Sequence, residues 1–118
     1  MVSISKNEIY IMDILWSNRG EASAKDIAQL LQRQLYWSKT TVYTMLNRLI
    51  RKGAVERIDP GFICRSLCDR DALRYAETDA LIDRFYNGSL SDFVEEYLLR
   101  QEISPQEKVL IKRLIEKL

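Results

Sequence analysis

The chain has 118 residues, of which 47% are hydrophobic and 30% are charged, and this composition is typical of one small globular domain or two very small ones. The sequence contains no apolar run long enough for a membrane span, and its start does not have the pattern of a signal peptide. We therefore expect a cytoplasmic protein without membrane association. The lack of histidine, of a glycine-rich phosphate loop and of a Cys-x-x-Cys pair argues against an enzyme, and we expect no cofactor.

The net charge of +1 is unevenly distributed along the chain. Residues 1–67 contain ten Lys and Arg against six Asp and Glu, a net charge of +4, whereas the remaining residues have a net charge of −3. A polyanion such as DNA would bind where the positive charge is concentrated. The sequence therefore predicts that any contact with DNA is made by the first half.

The pattern of the first 35 residues predicts two helices. Ser5 and Glu8 have the spacing of a capping box, and the helix that they begin is expected to run to about Trp16. A turn follows at 17–20, and Ser23 then caps the second helix. The apolar stripe of the second helix consists of Ile27, Ala28, Leu31 and Leu35.

A third helix is predicted at 38–52, with two different faces. Ser38 is placed to cap it, and Gly53 can adopt the left-handed conformation that ends a helix. Its apolar stripe consists of Val42, Met45, Leu46, Leu49 and Ile50, and its polar face of Thr40, Tyr43, Thr44, Asn47, Arg48 and Arg51. With the second helix it forms a helix-turn-helix joined through Tyr36 and Trp37, in which Trp37 is expected to pack rather than to contact DNA. The polar face suits a DNA major groove, although an ordinary solvated surface helix has the same pattern.

After Gly53 the sequence pattern changes from helix to strand. Residues 54–58 and 62–67 read as two short strands about a turn at 59–61, which contains Pro and Gly. Three helices followed by a hairpin are typical of a winged helix, so we predict a DNA-binding domain at 1–68. Arg57 and Arg65 of the hairpin could contact phosphates, which position a protein on DNA without reading sequence.

Residues 69–118 are acidic and are predicted to form three helices. The first runs from about residue 70 to residue 86, and the second begins at about residue 90. The third begins after a cap at Ser104, with Pro105 at its first position. So short a segment rarely buries enough surface to fold alone, and we expect it to pair with a second copy in a homodimer; packing on the winged helix within a monomer is the alternative. The residues expected in the dimer interface are Leu90, Phe93, Val94, Tyr97, Leu98, Leu110, Ile111, Leu114 and Ile115. The predicted fold is mainly α with a small β-hairpin: a winged helix-turn-helix followed by a three-helix dimerisation segment.

Several motifs together resemble the penicillinase repressor family, which includes the BlaI, MecI and CopY repressors. They are Leu15-Trp16, Trp37-Ser38, Thr41-Val42-x-Thr44, Arg48-Leu49 and Lys52-Gly53, followed by a wing and an acidic helical tail. The resemblance implies a dimeric transcriptional repressor whose winged helix binds a palindromic operator. It also implies that Ser38, Thr41, Thr44 and Arg48 contact the operator. The complete set of predicted DNA contacts is Ser38, Lys39, Thr40, Thr41, Tyr43, Thr44, Asn47, Arg48, Arg51, Arg57 and Arg65.

Three positions depart from the pattern of the family. Lys39-Thr40 stands where lactam-responsive members often have Pro-Lys, and Gly61-Phe62 stands at a wing tip that is often Gly-Arg. Tyr43 occupies a position often held by Arg or Gln. Because Tyr cannot make the bidentate base contacts of those residues, we expect a different base readout there.

The family divides according to the signal that releases the repressor. Copper-responsive members resemble each other in a C-terminal cluster of four cysteines, whereas this sequence ends Glu116-Lys117-Leu118, so we expect no copper sensing by that route. Antibiotic-responsive members are cleaved at an Asn-Phe bond, and the matching residues here are Glu96 and Tyr97. The releasing signal is therefore left open, with cleavage by a sensor protease as one route.

Two further features allow more than one interpretation. Cys64 and Cys68 could form a thiol pair or bind a soft metal, but two small buried hydrophobic residues are the favoured interpretation, and no other metal ligands are expected. A winged helix can also serve as a protein-interaction module, and exposed Tyr43 and Phe62 would then be its hydrophobic anchors.

Overall fold

Six helices and three short strands make up the described part of the chain, residues 3–100 and 102–118 of a computed structural model. In chain order they are α1 (Lys6–Ser17), β1 (Glu21–Ser23), α2 (Ala24–Leu35), α3 (Lys39–Arg51), β2 (Val55–Ile58), β3 (Ile63–Ser66), α4 (Arg70–Tyr86), α5 (Leu90–Arg100) and α6 (Pro105–Glu116). A winged helix followed by three helices was predicted, and this fold is confirmed. None of the helices described is long and apolar enough to cross a membrane.

The predicted helix starts are confirmed by their capping hydrogen bonds. Ser5 Oγ accepts from the Glu8 amide and the Glu8 carboxylate accepts from the Ser5 amide, which completes the capping box of α1. The side chains of Ser23, Ser38 and Ser104 likewise accept from a backbone amide three residues later. Each hydroxyl satisfies a helix donor that has no partner within the helix, so the cap fixes where the helix begins.

The sheet contains a strand that the sequence did not predict. β1 pairs antiparallel with β3, so that the strand order is β1-β3-β2 and Ala22 lies opposite Cys64. β2 and β3 lie within the two predicted strands but are shorter. β1 has three residues, too few for a recognisable alternation, and its pairing with β3 joins residues distant in sequence. The wing is therefore the outer hairpin of a three-stranded sheet.

One buried cluster joins the first three helices to the sheet. From α3 the residues Val42, Leu46 and Leu49 are fully buried, while Met45 and Ile50 are half-buried against the same cluster. Its other members come from α1, α2, the strands and the residue just before β2: Ile11, Met12, Leu15, Ala24, Ile27, Ala28, Leu31, Ala54, Val55 and Cys64. The predicted apolar stripe of α3 thus faces the core, and the residues of its predicted polar face are exposed except Tyr43, which is half-buried against the core.

Trp37 packs at the corner between α2 and α3, as predicted. Its ring meets that of Tyr10 edge to face, with 5.6 Å between the ring centroids. Tyr36, just before it, has a left-handed backbone (φ 58°) that ends α2 and is 90% exposed. The chain reverses direction at Tyr36, and Trp37 anchors the turn to the core.

The chain divides into two compact units, Met1–Tyr75 and Ala76–Leu118. The division falls within α4, whereas the sequence placed a boundary after residue 68. The first unit contains the buried cluster. In the second unit, α5 and α6 bury no residue among those described. The assignment of DNA binding to one part and dimerisation to the other stays a prediction.

Candidate nucleic-acid interface

The outward face of α3 is the largest group of predicted DNA contacts that the structure brings together. Thr40, Thr44, Asn47, Arg48 and Arg51 are all exposed on the side of the helix opposite its buried stripe. Because successive helical residues are 100° apart, these five side chains form one continuous surface. That surface carries hydroxyl, amide and guanidinium groups, which can hydrogen bond to base edges and to phosphates.

The two arginines of this face differ from most other cations near the wing. Over residues 3–100 and 102–118, neither Arg48 nor Arg51 forms an ion pair or hydrogen bond through its side chain. Lys52, Arg57 and Arg65, by contrast, are each paired with a carboxylate. The face of α3 therefore presents uncompensated positive charge, which favours a polyanionic partner.

Ser38 and Thr41 are linked to each other at the start of α3. Ser38 Oγ accepts from the Thr41 amide at 3.1 Å and donates its own hydrogen to Thr41 Oγ1 at 2.9 Å. This leaves the Thr41 hydroxyl hydrogen available to a phosphate or a base. The main role of Ser38 in the structure is to cap the helix, and a DNA contact by its side chain stays a prediction.

The wing lies against α3 through two aromatic rings. Tyr43 of α3 and Phe62 of the wing meet edge to face, with ring centroids 5.6 Å apart and planes at 90°. The Arg57 guanidinium carbon lies 3.7 Å from the Phe62 centroid, and Arg57 Nε donates to both carboxylate oxygens of Asp59 at 3.1 and 3.2 Å. On the Tyr43 side of this ring pair, Lys39 Nζ lies 5.5 Å from the Tyr43 centroid. The structure thus brings Arg57 and Lys39 to the two ends of one aromatic contact.

Arg65 lies apart from this group. Its neighbour Cys64 points into the core, so the alternation of side chains along β3 places Arg65 on the opposite face of the sheet. There it lies between Glu21 of β1 and Glu56 of β2, with Nε 2.6 Å from Glu21 Oε1 and Nη1 4.0 Å from Glu56 Oε2. The sequence could not indicate the pairing with Glu21, because Glu21 belongs to the strand that was not predicted.

An ion pair that was not predicted from the sequence anchors the end of α3. Lys52 Nζ donates to Glu8 Oε1 at 2.6 Å and to the Ser3 carbonyl oxygen at 3.0 Å, and Glu8 is fully buried. Burial raises the pKa of the Glu8 carboxyl, but the hydrogen bonds from Lys52 and Ser5 outweigh it, so the pKa lies below its ordinary value. The pair fixes the C-terminal end of α3 to the start of α1. Only the capping box pointed to Glu8, and its partner is 44 residues away.

Both cysteines are free thiols in surroundings that disfavour the thiolate. Cys64 is fully buried, and burial raises the pKa of its thiol to about 11; burial also raises the pKa of the half-buried Cys68. Since the thiolate is the form that binds metals and reacts, these values favour the interpretation of two small hydrophobic residues. The described residues contain no cluster of three or more Cys, Asp or Glu arranged to hold a metal ion.

The predicted interface residues of the second unit are largely exposed in the single chain. Six are exposed, namely Leu90, Val94, Tyr97, Leu110, Leu114 and Ile115, while Phe93, Leu98 and Ile111 are half-buried. Phe93 packs against the rings of Tyr86 and Tyr97, with centroid distances of 5.2 and 5.7 Å. Glu96 and Tyr97, the predicted cleavage region, are exposed within α5. Glu96 Oε1 lies 3.7 Å from Arg100 Nη2.

A sequence model described as "Penicillinase repressor" matches residues 4–117. The chain belongs to the penicillinase repressor family. The predicted resemblance is therefore confirmed over nearly the whole chain. Members of the penicillinase repressor family are transcriptional repressors rather than enzymes, so this chain is a winged-helix transcriptional repressor whose partner is DNA.

Individual relatives of the penicillinase repressor family agree with this assignment. The methicillin resistance regulatory protein MecI of Staphylococcus aureus (strain N315) is 28% identical over 116 residues, which cover 97% of this chain and 94% of that protein. The penicillinase repressor of Bacillus licheniformis is 29% identical over 106 residues, 88% of this chain and 82% of that protein. The solution structure of the DNA binding domain of the repressor BlaI superposes with a TM-score of 0.54 at 30% identity, covering 58% of this chain and 85% of that one.

Proposed function

We propose that the chain is a homodimeric repressor that binds a palindromic operator, with α3 of each subunit in the major groove of one half-site. The observation that carries this proposal is the exposed face of α3, on which Arg48 and Arg51 have no acidic partner among the described residues. An ordinary surface helix usually intersperses charges of both signs, whereas this face offers only cations and neutral polar groups. That composition fits a surface of phosphates and base edges.

The roles of the side chains follow from their chemistry. We assign base readout to Thr44 and Asn47, near the middle of the exposed face, and Tyr43 lies beside them. The remaining cations and hydroxyls of α3 and the wing act on phosphates: Ser38, Lys39, Thr40, Thr41, Arg48, Arg51 and Arg57. A contact from Arg65, also predicted, would require it to leave Glu21 and stays a prediction.

The case for a homodimer rests on the second unit. Helices α5 and α6 bury no residue within the described chain, although both have apolar stripes. Leu110 and Leu114 of α6 are 63% and 62% exposed. Large apolar side chains concentrated on adjacent helices mark an interaction surface, and symmetric pairing of that surface would also match a palindromic site.

The mechanism that we propose is occlusion of a promoter by the bound dimer. Two linked half-site contacts bind far more tightly than one, since the second forms at a high effective concentration. Any signal that separates the C-terminal helices would therefore release the operator. Scission in the exposed region of Glu96 and Tyr97 by a sensor protease is one such signal.

The rival function, a protein-interaction module, depends on exposed aromatic anchors. Tyr43 and Phe62 were the predicted anchors, but both are half-buried and their rings pack against each other. Neither ring is therefore free to insert into a pocket of a partner. This observation favours DNA as the partner of the α3 face.

The experiment that tests the proposal is selection of duplexes from a random DNA library by the purified protein at low and moderate salt. We expect one inverted repeat to be enriched at both salt concentrations, because base contacts add to the salt-dependent phosphate term. Arg48→Gln with Arg51→Gln should weaken binding to every duplex, so that enrichment is lost at moderate salt, while Arg84→Gln in the second unit should leave it unchanged. Wild-type protein that enriches no sequence, with binding lost at moderate salt, would contradict the proposal.

A further inference from the structure

Phe62 connects the wing to α3 through its ring. Its ring contacts Tyr43 of α3 on one side and the Arg57 guanidinium on another, at centroid distances of 5.6 and 3.7 Å. All three residues belong to the first unit. Guanidinium groups stack favourably on aromatic faces, so the ring can hold a long, otherwise mobile side chain in one orientation.

The backbone at Phe62 shows that this placement is imposed by its surroundings. Phe62 has φ 48°, a left-handed conformation that is unfavourable for a bulky residue. Two hydrogen bonds hold it there: its amide donates to Asp59 Oδ1 at 3.3 Å, and its carbonyl oxygen accepts from the Ala24 amide at 2.9 Å. Such backbone outliers concentrate at functional sites, where the surrounding structure maintains them.

Arg57 is held on two sides and open on the third. The face of its guanidinium lies over Phe62, and its Nε is occupied by Asp59. The two terminal amino groups, Nη1 and Nη2, make no hydrogen bond to the part of the chain that is described. These two groups form the fork that binds a phosphate through two parallel hydrogen bonds.

We propose that Phe62 is a positioning residue that holds Arg57 at a fixed distance from α3, so that the Arg57 fork binds a DNA phosphate beside the bases that α3 reads. The inference rests on the proposed function and adds to it the device that sets the wing contact. Without the ring, Arg57 would be held by Asp59 alone, and the side-chain freedom that it then loses when DNA binds would weaken binding. Phe62 itself need not touch DNA.

The test is a double-mutant cycle between Phe62 and Arg57, with binding measured on random-sequence duplex DNA as the salt concentration is varied. Phe62→Leu removes the ring without changing charge, and we expect affinity to fall about threefold to tenfold. Arg57→Gln should lower affinity and reduce the slope of log affinity against log salt by about 0.9, the value for one phosphate. In the Arg57→Gln background, Phe62→Leu should lower the DNA affinity by less than about twofold, because the guanidinium that Phe62 positions is gone.

Conservative variants separate positioning from a general structural role. Phe62→Tyr keeps the ring face and should bind like wild type. Arg57→Lys, at an exposed position of β2, keeps the charge but loses the flat fork, and we expect it to retain little of the Arg57 contribution. Equal losses for Phe62→Leu in both backgrounds, or wild-type binding by Phe62→Leu or Arg57→Lys, would overturn the inference while leaving the proposed function intact. Failure of the wild type to bind DNA would overturn both.

Discussion

The two units of the molecule carry similar apolar patterns but bury them differently. In Met1–Tyr75 the stripes of α1, α2 and α3 converge on one cluster, whose members include fully buried Leu15, Leu31 and Leu46. In Ala76–Leu118 the stripes of α5 and α6 are also periodic, but none of their described residues is buried and most are exposed. A periodic stripe therefore predicts a buried face but does not indicate which chain supplies the partner surface. The first unit completes its core internally, and the second is expected to complete it with another subunit.

The largest expected effect follows from breaking the exposed stripe of α6. Leu110→Glu with Leu114→Glu would place charge in the proposed interface, so the dimer should dissociate into monomers whose first unit remains folded. Operator affinity should fall by about 10²–10⁴-fold, because the linkage between half-sites is lost. Light scattering after size-exclusion chromatography, together with binding titrations, measures both effects.

Leu99→Glu is the matched control for that pair, since Leu99 is 80% exposed on another side of α5. It should remain dimeric. A monomeric Leu99→Glu variant would show that the predicted interface is wrongly placed, and a monomeric wild type would remove the contrast between the two units.

The next largest effect concerns the core of the first unit. Leu46→Ala should lower the free energy of unfolding by about 2–5 kcal/mol, because Leu46 is fully buried and its removal leaves a cavity. Urea denaturation followed by circular dichroism measures the change. Leu67→Ala, at a 55% exposed site, should change it by less than about 0.5 kcal/mol. Comparable losses in the two variants would contradict the placement of the core.

A smaller effect is expected from the ion pair that joins α3 to α1. Glu8→Gln should lower the free energy of unfolding at pH 7 by about 1–3 kcal/mol, because it removes a charged hydrogen-bond acceptor from a buried site. The pKa of folded Glu8 lies below its ordinary value of 4.5, so this stabilisation is complete above that pH. It is lost as the pH falls through the folded pKa. Urea titrations between pH 7 and pH 3 should therefore show the two proteins converging below about pH 4.5.

Glu21→Gln serves as the control for Glu8→Gln, since Glu21 forms an exposed ion pair with Arg65. Glu21→Gln should lower the free energy of unfolding by less than about 1 kcal/mol. A difference between wild type and Glu8→Gln that does not change with pH would show that the Glu8 charge is not what stabilises the protein.

The smallest effects distinguish two kinds of contact on the face of α3. Arg48→Ala should weaken binding to all sequences about equally and lower the salt slope by about 0.9, because it removes one phosphate contact. Thr44→Ala should instead change which base is preferred while leaving the slope unaltered. Selection experiments and salt titrations on both variants measure this, with Arg84→Ala as the charge control. The opposite pattern would reverse the roles assigned to Arg48 and Thr44.

Much of the fold could be predicted because its signals are local. The caps at Ser5, Ser23, Ser38 and Ser104 act over three residues, and the start of each of those helices was predicted correctly. The polar face of α3 was also predictable, since a 3.6-residue period fixes which side chains share a side. The DNA contacts themselves stay predictions.

Features that depend on pairing across the chain could not be predicted. β1 is a strand because it pairs with β3, with Ala22 opposite Cys64, and a segment of three residues is too short for its sequence to predict a strand. The contact of Arg65 with a phosphate stays a prediction, but its ion pair with Glu21 could not be predicted, because Glu21 lies on β1. Likewise, nothing near Glu8 in sequence indicated Lys52 as its partner.

The helices could be predicted from sequence alone, and so could the buried stripe of α3, the wing and, through the motifs, the family. Capping and periodicity are short-range effects, so each stretch carries its own information. The contacts of Phe62 with Arg57 and Tyr43, and of Lys52 with a buried carboxylate, arise only in the folded chain. These contacts join residues brought together by folding, and their energies depend on distance, orientation and burial, which no sequence spacing specifies.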